Sequence, residues 1–395
     1  MNLFESTTLV KPSYDSPVTD LIIELEKLRT RMLGGTTNVY VFFQMKEIFH
    51  ILESIGSARI EGNNTTISDY LESKYDGSDK PKNEFKEGVK EIANIEHALT
   101  FIESNVQNSN INRAFVCELH KLVVTELSYI DGEGDKTPGR FRASNVEIKK
   151  SNHKPIDFLL IDEYMEELFE FINKDDPSKY DLLKIAIVHH RFLWIHPFKN
   201  GNGRTARLIT YAMLVKYKFN VNVGRILNPT AVFCNSRGDY YDNLAAADTQ
   251  TEEGILKWCE YVLNGLKIEI DKVDKLADYN YLKKQILIPA IEYAVSNGDV
   301  REIEGKILKV VIEKQEIMAN DLKSLFHNKS NPEISRQIKM LTEKNMLEPI
   351  GIKARKYRLR VLNKKLLHAV IHMLDENDFL PEREGSKQIK ELLTP

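Results

Sequence analysis

The stretch that decides the fold is residues 196–207, which read His-Pro-Phe-Lys-Asn-Gly-Asn-Gly-Arg-Thr-Ala-Arg. Gly201 and Gly203 flank an asparagine between two segments of helical pattern. Glycine permits backbone angles that point successive N–H groups at one place, and the N-terminus of a following helix adds unpaired N–H groups. Arg204 and Arg207 lie three residues apart on that helix, where forked guanidinium donors can reach phosphate oxygens. The stretch therefore predicts a polyphosphate site.

His196 stands immediately before this glycine-rich turn. It ends a strongly apolar segment, residues 181–195, that predicts a helix buried on most sides. A histidine there can accept a proton from an attacking hydroxyl, because the ordinary pKa of histidine lies near neutral pH. Pro197 ends the helix behind it. A candidate base, an anion-binding turn and two arginines therefore follow one another closely along the chain.

The same residues, 196–207, resemble the Fic signature HPFx(D/E)GNGRxxR and match it at every fixed position but one. The resemblance implies a mainly α fold, with a helical core and a short β-hairpin flap. It implies a protein adenylyltransferase, which transfers AMP from ATP to a tyrosine, serine or threonine hydroxyl of a protein. His196 would be the general base and Phe198 would pack in the core. The residues assigned to the triphosphate are Gly201, Asn202 and Gly203 at the α- and β-phosphates, Arg204 at phosphate oxygens and Arg207 at the γ-phosphate.

The departure from the signature is Asn200, where the family usually has Asp or Glu as a ligand of the Mg²⁺ that accompanies ATP. Asparagine offers one neutral carbonyl oxygen, which is a weaker ligand for a hard cation than a carboxylate. Because Mg²⁺ usually keeps several waters and phosphate oxygens as ligands, we expect the metal to bind with weakened affinity. The departure also leaves open another transferred group, such as UMP or phosphocholine.

A second motif, residues 57–62, reads Ser-Ala-Arg-Ile-Glu-Gly. Ser57 and Glu61 lie four residues apart, hence on one face of a helix that Gly62 would end. The motif resembles the family's inhibitory sequence (S/T)xxxE(G/N). The resemblance implies that Glu61 pairs with Arg207 and occupies the place of the γ-phosphate, so that the enzyme is autoinhibited. It also implies an alternative, in which this glutamate positions a water that removes AMP from a modified target.

Residues 138–148 read Pro-Gly-Arg-Phe-Arg-Ala-Ser-Asn-Val-Glu-Ile, and within them residues 141–148 alternate enough to predict a short strand or hairpin. They resemble the family's flap, an edge on which an extended segment of the target pairs by main-chain hydrogen bonds. The resemblance assigns this docking role to Gly139, Arg142 and Val146. A hairpin with a purely structural role is the alternative.

Residues 240–244 resemble the family's helix near the adenine, which makes Tyr241 and Asp248 candidates for the nucleotide pocket. A tyrosine at helical spacing is also typical of a core or rim position, so that interpretation stays open. His189 and His190 precede His196 by one to two helical turns, and we expect packing or orienting roles for them.

The composition of the chain narrows the classes of protein to which it could belong. A net charge of −3 gives no global basic field of the kind that attracts nucleic acid. The three cysteines, Cys117, Cys234 and Cys259, show no zinc-binding spacing and are typical of free thiols in a reducing cytoplasm. The first residues lack the pattern of a secretory signal, and no apolar run approaches the ~20 residues that cross a bilayer. We therefore expect a cytoplasmic protein with no membrane partner.

Helical patterns recur at residues 17–34, 84–104, 157–172 and 205–217. Breaks between patterns predict five regions. They are an N-terminal helical region with the inhibitory helix (1–83), a Fic catalytic domain (84–268), a connecting helix (269–299), a winged-helix-like domain (300–362) and a C-terminal helix and tail (363–395).

Within residues 300–362, three helical patterns precede two short strand patterns, the order of a winged-helix module. Basic residues concentrate on the third helix and the wing: Arg336, Lys339, Lys344, Lys353, Arg355, Lys356, Arg358 and Arg360. Such residues could contact DNA phosphates. Protein docking and an ordinary solvated charge run are the alternatives.

Three hypotheses follow. The first is an autoinhibited AMP transferase that uses ATP with Mg²⁺ on an unidentified protein target, with self-modification as one outcome. The second is AMP removal or transfer of another phosphate-linked group on the same scaffold. The third is a DNA-binding regulator whose Fic domain only senses nucleotide, against which the intact His196 argues. A homodimer is implied by the resemblance alone.

Overall fold

The structure is a computed structural model that describes residues 7–30, 36–76, 86–130, 132–148, 153–219, 229–234, 236–326, 331–351 and 355–380. The prediction of a mainly α fold is confirmed, since helices dominate these ranges beside one small antiparallel sheet. Within the same ranges, no helix combines the length and the apolar character needed to span a membrane.

The N-terminal helices are α1 (Pro17–Thr30), α2 (Val39–Glu61), α3 (Ile67–Asp76), α4 (Glu87–Asn105) and α5 (Arg113–Val124). Helix α2 is the longest of these five and ends with residues 57–61 of the predicted inhibitory motif. The side chain of Asn38 caps its first turn by accepting from the Tyr40 N–H, and Gly62 ends it in the left-handed conformation as predicted. Helix α2 packs against α4 and also contacts the helices Asn202–Lys216 and Pro229–Cys234.

The central helices are α6 (Ile161–Asn173), α7 (Asp181–Ile195), α8 (Asn202–Lys216), α9 (Pro229–Cys234), α10 (Arg237–Ala247) and α11 (Glu252–Ala277). Helix α7 is buried at every position except Leu193 and Trp194, which confirms the prediction of a central helix. It packs between α6, α8 and α11. This burial fixes its last residue, and therefore His196, against a rigid core.

The C-terminal elements are α12 (Tyr279–Tyr281), a π-helical turn (Leu282–Leu287), α13 (Ile288–Ser296), α14 (Glu302–Lys314), β1 (Glu316–Ile317), α15 (Asn331–Glu343), β2 (Leu347–Pro349), β3 (Tyr357–Leu359) and α16 (Lys364–Glu376). Short 3₁₀ turns occur at Val106–Asn108, Phe158–Leu160, Ser178–Tyr180 and Ala319–Leu325. The sheet has the order β1-β3-β2, and Leu347 pairs with Leu359 while Ile317 pairs with Tyr357.

The predicted order of three helical segments and a hairpin is present, with strand β1 as an addition that the pattern did not reveal. The two predicted short strands are β2, which ends at Pro349, and β3, which covers three residues. Lys353 of the expected wing lies outside the described residues. The name winged helix, and the five predicted regions, stay predictions. Buried apolar side chains from Val10 to Leu380 form one continuous cluster.

Helix α2 is joined to the C-terminal sheet by a buried amide. The side chain of Gln44 donates to the Leu359 carbonyl at 3.1 Å and accepts from the Val361 N–H at 2.7 Å. Arg358 lies over the ring of Tyr40, with its guanidinium carbon 3.3 Å from the ring centroid. One end of α2 is thus fixed to the C-terminal sheet, and the other end reaches the site described next.

Candidate active site

The loop between α7 and α8 carries the candidate base. His196 adopts a left-handed conformation (φ 53°) that ends α7, and its N–H still donates to the Phe192 carbonyl. Gly201, with φ of 74°, turns the chain into α8. A side chain at Gly201 would be strained there, because L-residues rarely adopt this angle. The predicted turn between two helices is therefore confirmed.

Asn202 closes this loop rather than pointing its side chain outward. Its amide oxygen accepts from the Phe198 N–H and its amide nitrogen donates to the Phe198 carbonyl, each at 2.9 Å. Phe198 is fully buried, as predicted, and stacks on His120 with ring centroids 3.7 Å apart. Any contact of Asn202 with phosphate would thus come from its backbone N–H.

Helix α8 presents an open N-terminus. Its first hydrogen bond along the turn runs from the Thr205 N–H to the Gly201 carbonyl, and no side chain of the described residues caps it. The amides of Asn202, Gly203 and Arg204 therefore have no intrahelical partner, which is the arrangement that binds anions. Gly203 lines a cleft of about 1220 Å³ together with His196 and Arg207.

Arg207 is held by the end of α2. Its guanidinium donates to the Ser57 hydroxyl at 2.9 Å, to the Ser57 carbonyl at 3.0 Å and to the Glu61 carboxylate at 2.6 Å. Burial opposes ionisation of Glu61, but the charges of Arg207, Arg204 and Arg237 hold its pKa below the ordinary value. The pKa of Arg207 is raised in turn, chiefly by Glu61 against the effect of burial. The two groups form a charged pair.

The Glu61 carboxylate also covers the open end of α8. A Cβ placed on Gly203 would overlap the Glu61 carboxylate oxygen, so this glycine permits the close approach. The acid therefore lies beside both the unpaired amides of α8 and the guanidinium of Arg207. An anionic phosphate group could not take the same place without displacing it.

Arg204 does not line the cleft, although the sequence places it on the helix with Arg207. It is fully buried and pairs with Glu91 and Glu133, each at 3.1 Å. It also donates to the backbone carbonyl of Glu133 at 2.7 Å. Burial raises the pKa of both Glu91 and Glu133. This effect outweighs the nearby positive charge of Arg204, which acts to lower both values. Its predicted contact with phosphate oxygens stays a prediction.

The imidazole of His196 lines the cleft and is uncharged. Burial lowers the pKa of His196 from 6.5 to about 4. Its Nδ1 lies 3.3 Å from the Leu193 carbonyl, an acceptor, so Nδ1 carries the hydrogen of the neutral ring. Nε2 therefore has the free lone pair that a general base requires.

Asn200 is engaged by its own loop. Its side-chain oxygen accepts from the Gly201 N–H at 2.7 Å, and its side-chain nitrogen donates to the Gly134 carbonyl at 3.2 Å. An amide oxygen has two lone pairs, so one remains for a cation. The residue thus fits Mg²⁺ as a single neutral ligand. Among the described residues, no three His, Cys, Asp or Glu side chains cluster as a metal site.

His120 joins the loop between α7 and α8 to Gly139 of the predicted flap segment, and sequence reasoning missed it. Its Nδ1 accepts from the Gly139 N–H at 2.9 Å and its Nε2 donates to the Asn200 carbonyl at 3.1 Å. Asp135 accepts from the Asn200 N–H at 3.3 Å on the same side. Burial lowers the pKa of His120 to about 4, which keeps the ring neutral and both bonds possible. No local motif around His120 marks this role.

The expected flap hairpin is not formed in residues 141–148, where the structure has no strand. The reason is that Arg142 binds inward instead of pairing along an edge. Its N–H donates to the Pro197 carbonyl and its Nε to the His196 carbonyl, both at 2.8 Å. Val146 is half-buried in this irregular segment. The docking role of Gly139, Arg142 and Val146 stays a prediction.

The far side of the cleft contains the residues expected near adenine. Tyr241, which is 46% exposed, and Asp248 both line it. Asp248 binds His190 at 2.8 Å, an orienting contact of the expected kind. His189 is buried between Thr210 (2.8 Å) and Tyr240 (3.0 Å). Further lining residues that the sequence did not single out are Lys154, Trp194 and Arg237.

Some of the basic residues of the C-terminal module have acidic partners. Lys356 pairs with Glu316 at 3.2 Å and Arg358 with Glu348 at 3.4 Å. Lys344 pairs with the buried Glu304 at 2.7 Å. These pairs offset part of the positive charge that suggested DNA binding, which stays a prediction.

Comparison with known proteins agrees with this geometry. Residues 110–214 match the sequence model of the Fic/DOC family. The chain is 27% identical over 161 residues to a protein adenylyltransferase Fic of Nematostella vectensis, covering 40% of this chain and 34% of that protein. It is also 27% identical over 220 residues to a protein of the same name from Aedes aegypti, covering 54% of this chain and 40% of the relative. The chain thus spans less than half the length of these relatives.

A crystal structure of a Fic family protein from Desulfovibrio desulfuricans G20 has the same fold. It superposes with a TM-score of 0.55 at 20% identity, over 88% of this chain and 98% of that one. The matched family segment contains α5, α6, α7, the loop that follows α7 and most of α8. The chain therefore carries a domain of the Fic/DOC family over residues 110–214.

Proposed function

We propose that the chain is a protein adenylyltransferase that transfers AMP from ATP to a protein hydroxyl and is autoinhibited by Glu61. The observation that carries the proposal is the meeting, in one cleft, of a neutral His196, the open end of α8 and Arg207. Relatives of the chain are named protein adenylyltransferases, which supports the same activity. Tyr, Ser and Thr hydroxyls are the proposed acceptors.

The proposed reaction is an in-line transfer. Nε2 of His196 accepts the proton of the target hydroxyl while the hydroxyl oxygen forms a bond to the α-phosphorus. The bond from that phosphorus to the bridging oxygen breaks, and pyrophosphate leaves with its electron pair. The amides that begin α8 would offset phosphate charge. Mg²⁺, held by substrate phosphates and Asn200, would supply further charge neutralisation.

Autoinhibition follows from competition for one site. Arg207 is the proposed partner of the γ-phosphate, and Glu61 now accepts from it at 2.6 Å. A phosphate oxygen would have to replace this carboxylate and would meet its charge at the start of α8. Residues 57–62 thus inhibit by keeping ATP out of its productive position, and they leave the candidate base His196 in place.

The deciding experiment incubates the Glu61→Gly protein with ATP labelled at the α-phosphate and follows label on the protein itself. We expect labelling that exceeds that of the wild type, and a loss of about 100-fold or more when His196→Ala is added. Equal labelling with and without His196 would contradict the proposal. ATP labelled at the γ-phosphate is the control, because AMP transfer leaves that phosphate in pyrophosphate.

Two variations of the same assay separate the alternatives. Label from UTP or CDP-choline in place of ATP would assign another transferred group, which Asn200 leaves open. Loss of label from isolated AMP-modified protein, after wild-type chain is added, would assign AMP removal. A gel shift of duplex DNA that is abolished by Arg336→Glu with Lys339→Glu would support the DNA-binding regulator.

A further inference from the structure

A second cavity, of about 540 Å³, lies on the other side of the α2 end from the catalytic cleft. One wall consists of Arg59 and Ile60 from the last turn of α2, followed by the turn that leads to α3. The opposite wall comes from Tyr293 of α13 and His372 of α16. The cavity therefore lies open to solvent between the end of α2 and the C-terminal helices.

The lining of this second cavity favours an anion. Among the described residues that line it, two arginines and two histidines, Arg59, Arg237, His368 and His372, stand against one carboxylate, Asp375. Guanidinium and imidazole N–H groups are strong donors to phosphate oxygens. Inorganic phosphate alone would not fill this volume, and Tyr293 and Ile60 add apolar surface for an organic group. A phosphate monoester combines both features.

The two cavities share structural parts. Glu61 lines the catalytic cleft, whereas the two preceding residues, Arg59 and Ile60, line the second cavity. Arg237, at the start of α10, lines both. A group bound to Arg59 on one side therefore acts on the same helical turn that places Glu61 on Arg207.

We propose that the second cavity binds a small phosphate monoester, and that the bound anion holds α2 where Glu61 blocks Arg207. The regulatory half of this inference rests on the proposed function, whereas the binding half does not. The direction of the ligand's effect follows from linkage, because the cavity is present in the conformation in which Glu61 contacts Arg207. A ligand that binds this conformation favours it over the one in which α2 has moved. The ligand would therefore oppose ATP.

Binding is tested on the full chain by thermal unfolding with inorganic phosphate and with glucose 6-phosphate, which has no adenine to enter the catalytic cleft. We expect saturating glucose 6-phosphate to raise the Tm by about 1–3 °C. The shift should vanish in Arg59→Gln with His372→Gln. Arg59→Lys with native His372 should retain it, as a check on folding.

Two results would overturn the binding site. One is the absence of any shift with either probe in the wild type. The other is a shift that survives in the Arg59→Gln, His372→Gln protein, since it would place the anion outside the second cavity.

Coupling is tested by self-labelling from α-labelled ATP with increasing glucose 6-phosphate. We expect residual labelling of the wild type to fall severalfold and labelling of Glu61→Gly to stay constant, because that variant has no inhibitory carboxylate. Inhibition that is equal in both would mean simple competition and would overturn the coupling. If no variant is ever labelled, the proposed function fails while the Tm result still decides the binding site.

Discussion

The guanidinium of Arg207 donates to the Glu61 carboxylate across 2.6 Å, although 146 positions separate the two residues along the chain. This contact joins the end of α2 to the first turns of α8, with Ser57 providing two further acceptors. Since Arg207 is only 2% exposed, its charge needs an anionic partner in every state of the cleft. In the proposed function, Glu61 and a nucleotide phosphate are alternative partners for this one cation.

Replacing Glu61 should strengthen ATP binding. We expect Glu61→Gly in a His196→Ala background, where no turnover occurs, to bind ATP about 10-fold more tightly or better. Glu61→Gln, which keeps the shape and removes the charge, should give an intermediate affinity. Isothermal titration calorimetry provides the dissociation constants. Identical constants in all three proteins would show that the carboxylate does not compete with ATP.

The pH dependence of labelling should reflect a base that is already neutral at pH 7. The pKa of His196 is lowered to about 4, so the fraction of neutral imidazole hardly changes as the pH falls from 8 to 6. Protonation, and loss of the base, begins only near pH 5 and below. Glu61 acts to raise the pKa of His196. Its removal therefore cannot raise the pH at which labelling declines on the acid side of the profile.

The measurement is the single-turnover labelling rate of Glu61→Gly between pH 5 and 8. An acid limb with its midpoint between pH 6 and 7 would mean that the ring is accessible to protons in the reacting state. The unfolded chain binds the proton at its ordinary pKa of 6.5, so His196 also makes the folded state less stable as the pH falls below that value.

Asn200→Asp should lower the Mg²⁺ concentration needed for labelling by severalfold, because a carboxylate is the better ligand for a hard cation. The same change should cost about 1–3 kcal/mol of stability, since a carboxylate cannot donate to the Gly134 carbonyl 3.2 Å away. Labelling of Glu61→Gly at graded Mg²⁺, with and without Asn200→Asp, measures the first effect. Asn200→Ala is the control, and an unchanged half-saturating concentration in Asn200→Asp would exclude this role.

Gln44→Leu should destabilise the protein by about 2 kcal/mol or more, because it leaves two buried backbone groups unpaired. These are the Leu359 carbonyl and the Val361 N–H, which the amide of Gln44 now satisfies. Urea denaturation gives the change in free energy of unfolding. Glu47→Gln, on the exposed side of the same helix, is the control and should change it by less than about 0.5 kcal/mol. Equal effects of both changes would show that the amide does not secure α2.

Features that depend on neighbouring residues in the chain could be predicted from the sequence. The apolar run before His196 predicts a buried helix, and Gly201 predicts the turn, because both depend on neighbours in the chain. The same holds for Gly62 at the end of α2. Arg204 shows the limit, since its spacing from Arg207 is right for one face but the structure buries it against Glu91 and Glu133.

By itself, the sequence determined the candidate base, the turn that opens α8 and the motif at the end of α2. Only the tertiary structure decided that Glu61 covers Gly203, that Arg142 turns inward instead of forming a hairpin edge, and that His120 supports Asn200. The physical reason is that these contacts join groups far apart in the chain. Their partners, and the pKa of about 4 of His196, are set by packing and burial, which no local pattern records.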